Sequence, residues 1–414
     1  MPSTVPELHR LKNGIRVVVE PIPGAQSIVL VFRFAFGAKD DPLDRLGMAR
    51  VVEETLFKGT PSMDARSVFD AFDNLGVLRG SAADVEYTEF RAQLLPRHFP
   101  AAIKLYSEVF KSASFPDEAV EAAKALTLEE IKRLEDNPIQ QVLYLTYQAG
   151  LGDPMGRMPL GNPETVSVIT PPGVRNCWTT YCNPERLLIS VAGGLGLPEV
   201  LEKIDAIFGQ WSSGEDGPDE VHRVSVASRT VHQKKQSEQQ HIGMLFSAVP
   251  RGHDLYYPGQ LFVTILSGGG SSRLFTEVRE KRGLAYSVAA FYRARRGGGL
   301  IALYAGTTPD RADETLAVCQ REIKRVAEDL SPEELDRAKT IVKGRIMTTG
   351  DLPEGRAGSL AEDLFLEGRP RSLDQLTRRI DEVALDQIPA YLEAFPPDPL
   401  TLVTLGPRSL NVPS

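Results

Sequence analysis

Apolar positions along this chain keep two rhythms, one suited to strands and one to helices. Leu11–Glu20, LKNGIRVVVE, places Asn-Gly ahead of a β-branched run and predicts a turn leading into a strand. Ser27–Gly37, SIVLVFRFAFG, is apolar on both faces and predicts a central strand. Val85–Leu95 alternates as a strand does, and Leu187–Ala192 is a short apolar run closed by Gly193-Gly194. Intervals of three and four predict helices over Gly47–Thr60, Ser67–Leu75, Phe99–Phe110, Asp117–Leu134, Gln140–Gly150, Pro172–Tyr181 and Leu197–Phe208, with Gly161–Thr170 a loop. Trp211–Glu220, WSSGEDGPDE, is nearly free of core residues and reads as a linker.

Beyond it the same order returns. Strands are predicted over Gln240–Ser247, Ala285–Tyr292 and Gly299–Gly306. Helices are predicted over Leu255–Leu266, Ser272–Lys281, Arg311–Leu330, Pro332–Thr348, Arg356–Leu366, Leu373–Ile380 and Leu385–Phe395. Leu400–Leu405 closes the chain as a strand that mirrors Leu187–Ala192. Each half is strand-rich first and helix-rich later, so the pattern is one α+β unit used twice. The expected domains are 1–210 and 222–414, joined by a linker at 211–221.

Composition narrows the class. The 414 residues are 42% hydrophobic and 25% charged with net charge −8, which is ordinary for a globular protein and gives no pull towards nucleic acid or an anionic membrane. No apolar run is long enough for a membrane span, and none precedes the first charges to form a secretion signal. Three cysteines, Cys177, Cys182 and Cys319, form no CxxC pair and read as core or incidental thiols. The expected location is the cytoplasm.

The chemistry starts at Gly47–Thr60, GMARVVEETLFKGT. Met48, Val51, Val52, Thr55 and Leu56 mark one apolar face; Arg50, Glu53 and Glu54 share another, at i, i+3 and i+4. That is the spacing of H-x-x-E-H, in which two His bind Zn²⁺ and the Glu is the general base. Here both His positions hold other residues. Arg has no lone pair to offer and does not deprotonate, so Arg50 cannot be a ligand. The six His are scattered, with no pair at a spacing of three to five. On residues alone, a solvated helix face with an i, i+4 ion pair is the reading this stretch favours.

The chain resembles the pitrilysin/insulinase family of zinc peptidases. It is most similar to the short bacterial members that work as paired subunits, relatives of the mitochondrial processing peptidase. Catalytic members read G-x-A-H-x-x-E-H-x-x-F-K-G-T, matched here at Gly47, Ala49, Glu53, Phe57, Lys58, Gly59 and Thr60. The family's third ligand, a Glu in an L-E-E-[IM] helix before a D-N/S-P break, corresponds to Glu130 in Leu128-Glu129-Glu130-Ile131, ahead of Asp136-Asn137-Pro138. Further matches are LKNGIRVVVEPIPG, Phe36-Gly37-Ala38 with its acidic run, and Tyr181-x-Asn183-Pro184. Ser267–Tyr292 matches the second-domain signature S-S-R-L-F-x-E-V-R-E-K-R-G-L-A-Y-S-V; otherwise its GGGSS is only a flexible turn and its basic run a solvated helix end. The strand that begins N-A-x-T in catalytic relatives reads Gly80-Ser81-Ala82-Ala83 here, which weakens peptide presentation at this half's own site.

The resemblance implies two homologous α/β sandwich domains, each a mixed, mostly antiparallel sheet covered by helices (the LuxS/MPP-like metallohydrolase fold). It implies a degenerate zinc site at Arg50, Glu53, Glu54 and Glu130, with no metal in this chain, and substrate binding by the intact pair Arg279 and Tyr286. It further implies a partner subunit with an intact H-x-x-E-H that holds the zinc, peptide substrates, and no activity from this chain alone. An inert scaffold and a peptide-binding homodimer are the competing readings. Arg50 is expected within ion-pair distance of Glu54 or Glu130, neutralising carboxylates that would otherwise stand together.

Overall fold

The computed structural model describes residues 5–212, 219–396 and 400–410. No helix among them is long and apolar enough to cross a membrane. The chain divides into two compact units, the first made of 1–133, 157–220 and 348–373, the second of 134–156, 221–347 and 374–414.

The first unit is built on a six-stranded sheet. Its strands are β1 (Glu7–Arg10), β2 (Arg16–Pro21), β3 (Ile28–Phe34), β4 (Leu78–Ala83), β5 (Thr88–Leu94) and β6 (Leu187–Gly193), in the order β1-β2-β6-β3-β5-β4. Only β2 and β6 run parallel. β3 is fully buried in the middle, as its apolar run requires. Its side chains alternate: Leu30, Phe32 and Phe34 enter the main core, while Val29 and Val31 join a second apolar layer on the opposite face.

The second unit repeats the arrangement. Strands β7 (Arg229–Lys234), β8 (Gln240–Ala248), β9 (Ala285–Arg295), β10 (Gly298–Thr307) and β11 (Thr401–Gly406) lie in the order β7-β11-β8-β10-β9, with only β7 and β11 parallel. This is the order β2-β6-β3-β5-β4 again, so β1 is an addition to the first unit and β11 does stand where β6 stands. The fold is α+β, two sheets each covered by helices.

The units are not the continuous stretches 1–210 and 222–414. Helix Pro138–Leu151, from the first half of the sequence, packs in the second unit, where Val142 meets Tyr304, Val403 and Leu405. Helix Pro353–Glu367, from the second half, packs in the first unit, where Ala357, Leu360, Ala361 and Leu364 cover Val18, Val29, Val31 and Leu188. Each sheet has two apolar faces, and each needs this borrowed helix to bury the second. Two charged groups fix the helix in the first unit. Buried Arg356 pairs with buried Glu20 on β2, and Glu362 lies 3.6 Å from buried Arg33 on β3.

Local corrections are smaller. Gly161–Thr170 is not all loop: Asn162 caps a short helix, Pro163–Ser167. Ser272–Lys281 is not one α-helix, because Phe275–Glu280 is wound as a π-helix. Of the linker, 213–218 lies outside the described residues, but Asp219 at its end is buried against Lys39 and Arg186.

Candidate functional site

Arg50 lies on helix Met48–Thr55, whose start is fixed by two devices. Gly47 has φ +93°, and a Cβ there would come within 2.7 Å of the Leu160 carbonyl oxygen, so only glycine fits. Buried Asp41 accepts hydrogen bonds from the Gly47 N–H (2.8 Å) and the Ala49 N–H (2.9 Å). Burial outweighs those two bonds and pushes the Asp41 carboxyl up to about 7.

The Arg50 guanidinium is surrounded by carboxylates. Nε and Nη2 donate to the two oxygens of Glu130, at 3.1 and 2.8 Å, a bidentate pair with helix Asp117–Glu135. Nη1 donates to Glu54 at 3.0 Å and also to Glu53. The expected ion pair is therefore present, with both candidate partners and a third. Burial opposes the charge of Arg50, but the bonds and charges of Glu130 and Glu53 outweigh it and hold the guanidinium above its ordinary value. Burial raises the Glu53 carboxyl above the usual range, partly offset by Arg50 and by the Ser81 hydroxyl on β4, which hydrogen-bonds to it.

These residues do not suit a zinc ion. A cation with no lone pair occupies the centre of the cluster, and every carboxylate that could serve as ligand is bonded to it. Among the described residues no group of three or more His, Cys, Asp or Glu is placed to hold a metal. Arg50 acts instead as the counter-ion of the three glutamates. Arg50→Met is expected to lower the unfolding free energy by about 1–3 kcal/mol near pH 7.5, because three partly buried carboxylates lose their donor. Glu53, raised by burial and held down by Arg50, would then bind its proton more tightly folded than unfolded, so the deficit should shrink as pH falls through the carboxylate range. Urea titrations at pH 5 and pH 7.5 check this; an equal deficit at both would refute it.

The second cluster is in the second unit. Arg279 sits on the π-helix Phe275–Glu280, exposed, with its Cζ 5.0 Å over the Phe275 ring. Its basic neighbours are occupied: Lys281 and Arg282 both bond Glu277 and hold that carboxyl down to about 2. Among the described residues no carboxylate is paired with Arg279. Tyr286 is near the start of β9 with 45% of its surface exposed, and its hydroxyl donates to Gln239 Oε1 at 2.7 Å. Tyr286 falls at a break in register: Ser287 faces Gly306 and Ala285 faces Thr307, so Tyr286 is the unpaired residue of a β-bulge.

Known proteins share both the sequence pattern and the fold of this chain. Residues 16–163 match the family described as "Insulinase (Peptidase family M16)", and residues 169–342 match the family's "Peptidase M16 inactive domain". The chain belongs to the M16 peptidase family. It is 26% identical to YmxG, an uncharacterized zinc protease of Bacillus subtilis, over 98% of this chain and 99% of that one. It is 28% identical to an uncharacterized zinc protease of Streptomyces coelicolor, over 92% of this chain and 85% of the relative. Among solved structures it shares its fold with a peptidase M16 inactive domain from Pseudomonas fluorescens, at TM-score 0.88 and 20% identity over 99% of both chains. A protease from Helicobacter pylori gives TM-score 0.89 and 18% identity over 97% of this chain and 99% of that one.

Within this M16 chain, the sequence brought Arg50, Glu53, Glu54 and Glu130 together correctly, across two helices. It missed Asp41, which appeared only as part of an acidic run after Phe36-Gly37-Ala38. It also missed Gln239, Tyr304 and His241 around Tyr286, because neighbours across a sheet depend on strand order, which no local pattern states.

Proposed function

We propose that this chain is the metal-free subunit of a two-chain zinc peptidase of the M16 family, acting in the cytoplasm. A partner of the same family with an intact H-x-x-E-H would hold Zn²⁺ and the water it acidifies to a pKa near about 7. This chain's part is to bind and orient the peptide. Arg279 offers several donors to a substrate carbonyl or carboxylate, and Tyr286 donates a hydrogen bond to the oxyanion that forms when the amide is attacked. The observation that carries this reading is the contrast between the two clusters. The carboxylates of the first are all consumed by Arg50, whereas Arg279 and Tyr286 stand exposed, and no carboxylate among the described residues holds Arg279.

The test is reconstitution with an M16 chain that carries H-x-x-E-H. This chain alone, with added zinc, is expected to cleave no peptide, and the mixture is expected to cleave. Arg279→Ala in the mixture is expected to lower kcat/KM by about 10²-fold. Cleavage by this chain alone, or an Arg279→Ala mixture as fast as wild type, would overturn the reading. A chain that forms a stable homodimer and ignores every such partner would favour a peptide-binding or scaffold role.

A further inference from the structure

The hydroxyl of Tyr286 is the first of a chain of polar groups that leads into the second unit. Behind it stands Tyr304 on β10, with the two phenol oxygens 3.4 Å apart. Behind Tyr304 stands His241 on β8, its Nδ1 2.8 Å from the Tyr304 hydroxyl. Tyr304 is 1% exposed and His241 2%. Buried polar groups of this kind are costly unless paired, and here each is paired with the next. One set of proton positions satisfies all of them: His241 Nδ1–H donates to Tyr304, Tyr304 donates to Tyr286, and Tyr286 donates outward to Gln239. Burial, and the charge of Lys235, push His241 down to about 4, so it is neutral at physiological pH.

The backbone is shaped to the same end. The bulge turns Tyr286 out of the regular alternation of β9, and Gly306 on β10 leaves room for its ring. A Cβ at Gly306 would come within 2.5 Å of the hydroxyls of both Tyr286 and Tyr304. Any side chain there would separate the two phenols. The outermost group, Gln239, is exposed and contributes a carbonyl oxygen, the same kind of acceptor that a peptide substrate presents.

We infer that Tyr304 and His241 are positioning residues that aim and polarise the Tyr286 hydroxyl, and that the Gln239 side-chain carbonyl holds the place a substrate carbonyl takes. The inference deepens the role given to Tyr286 above and rests on it. Tyr304 touches no substrate; it fixes the direction of the Tyr286 O–H and, by donating to its oxygen, makes that O–H a better donor to a developing oxyanion.

Two measurements test this, the first of which needs no partner. In the full chain labelled with tyrosine ¹³Cζ, whose shift reports phenol hydrogen bonding, the Tyr286 resonance is assigned with Tyr286→Phe. Tyr304→Phe should move it, and Tyr292→Phe, which removes a hydroxyl bonded instead to the Val249 carbonyl, should not. A Tyr286 resonance unmoved by Tyr304→Phe overturns the inference. The second is a double-mutant cycle on peptide cleavage in the reconstituted complex. Tyr286→Phe is expected to lower kcat/KM by about 10²-fold and Tyr304→Phe by about 5-fold. In a Tyr286→Phe background, adding Tyr304→Phe should cost nothing further. An equal cost in both backgrounds shows a general structural effect and overturns the inference, as does no cost in either. If Tyr286→Phe itself leaves cleavage unchanged while the resonance shift stands, the hydrogen bond is real but the role given to Tyr286 has failed, and the positioning role goes with it.

Discussion

Arg356→Ala is expected to lower the unfolding free energy by about 3–5 kcal/mol, the cost of removing one partner of a buried ion pair. Arg356 is 1% exposed, and its Nε donates to Glu20 Oε2 at 2.7 Å. Nη2 bonds the same oxygen and also the Arg371 carbonyl, at 3.0 Å. Glu20 is 3% exposed, so Arg356→Ala removes a cation paired with a buried carboxylate. The loss is large against the roughly 5–15 kcal/mol that stabilises a typical domain. It also loosens helix Pro353–Glu367, which is further tied to the sheet by the Ser190 hydroxyl bonded to the Ala357 carbonyl at 2.8 Å. Replacing both partners with methionine should recover most of the loss, because an apolar pair of similar volume carries no desolvation cost. Urea denaturation followed by circular dichroism measures both variants. A loss under about 1 kcal/mol for Arg356→Ala would show that the pair contributes little.

The second large effect is a gain. Arg50→His with Glu54→His should give a chain that binds about one equivalent of zinc, with a Kd of about 1 μM or tighter, where the wild-type chain is expected to bind none. Arg50 and Glu54 lie one turn apart on a single helix, and the Arg50 guanidinium touches both Glu54 and Glu130. Imidazoles at 50 and 54 would face the same point as the Glu130 carboxylate, giving two nitrogens and an oxygen with a fourth position open. Glu53, between them and buried, would stand beside that position. Elemental analysis after dialysis gives the stoichiometry, and Glu130→Ala on top of the pair should abolish binding. A folded double variant with no zinc would mean that Arg50 does not stand where a metal could; one equivalent in the wild-type chain would refute the counter-ion role.

What was legible in the sequence follows from what local patterns encode. β3 and β6 were evident because buried strands are written as unbroken apolar runs, and the Arg50 cluster was evident because helix spacing converts i, i+3 and i+4 into one face. β4 and β7 were not. LRGSAA and RTVHQK are exposed edge strands held by backbone bonds to one neighbour, and they carry no alternation to read. The exchange of Pro138–Leu151 and Pro353–Glu367 was hidden for a different reason. Amphipathicity says that a helix has an apolar face, but not which sheet the face will cover. The setting of Tyr286 was out of reach because it joins residues of β8, β9 and β10 with the residue just ahead of β8, and depends on a one-residue bulge.

The exchanged helices also constrain the descent of the protein. A duplicated unit with a clean seam can be cut at the seam into two genes, each encoding a folding product. Here a break near residue 215 would hand each gene a sheet with one bare apolar face and a helix whose complement is encoded elsewhere. Fission at the apparent seam is therefore expected to give two products that each lack a helix their sheet needs. The two copies remain free to diverge on their surfaces, one carrying an arginine among three glutamates and the other an exposed arginine and tyrosine, while each depends on a helix encoded in the other half.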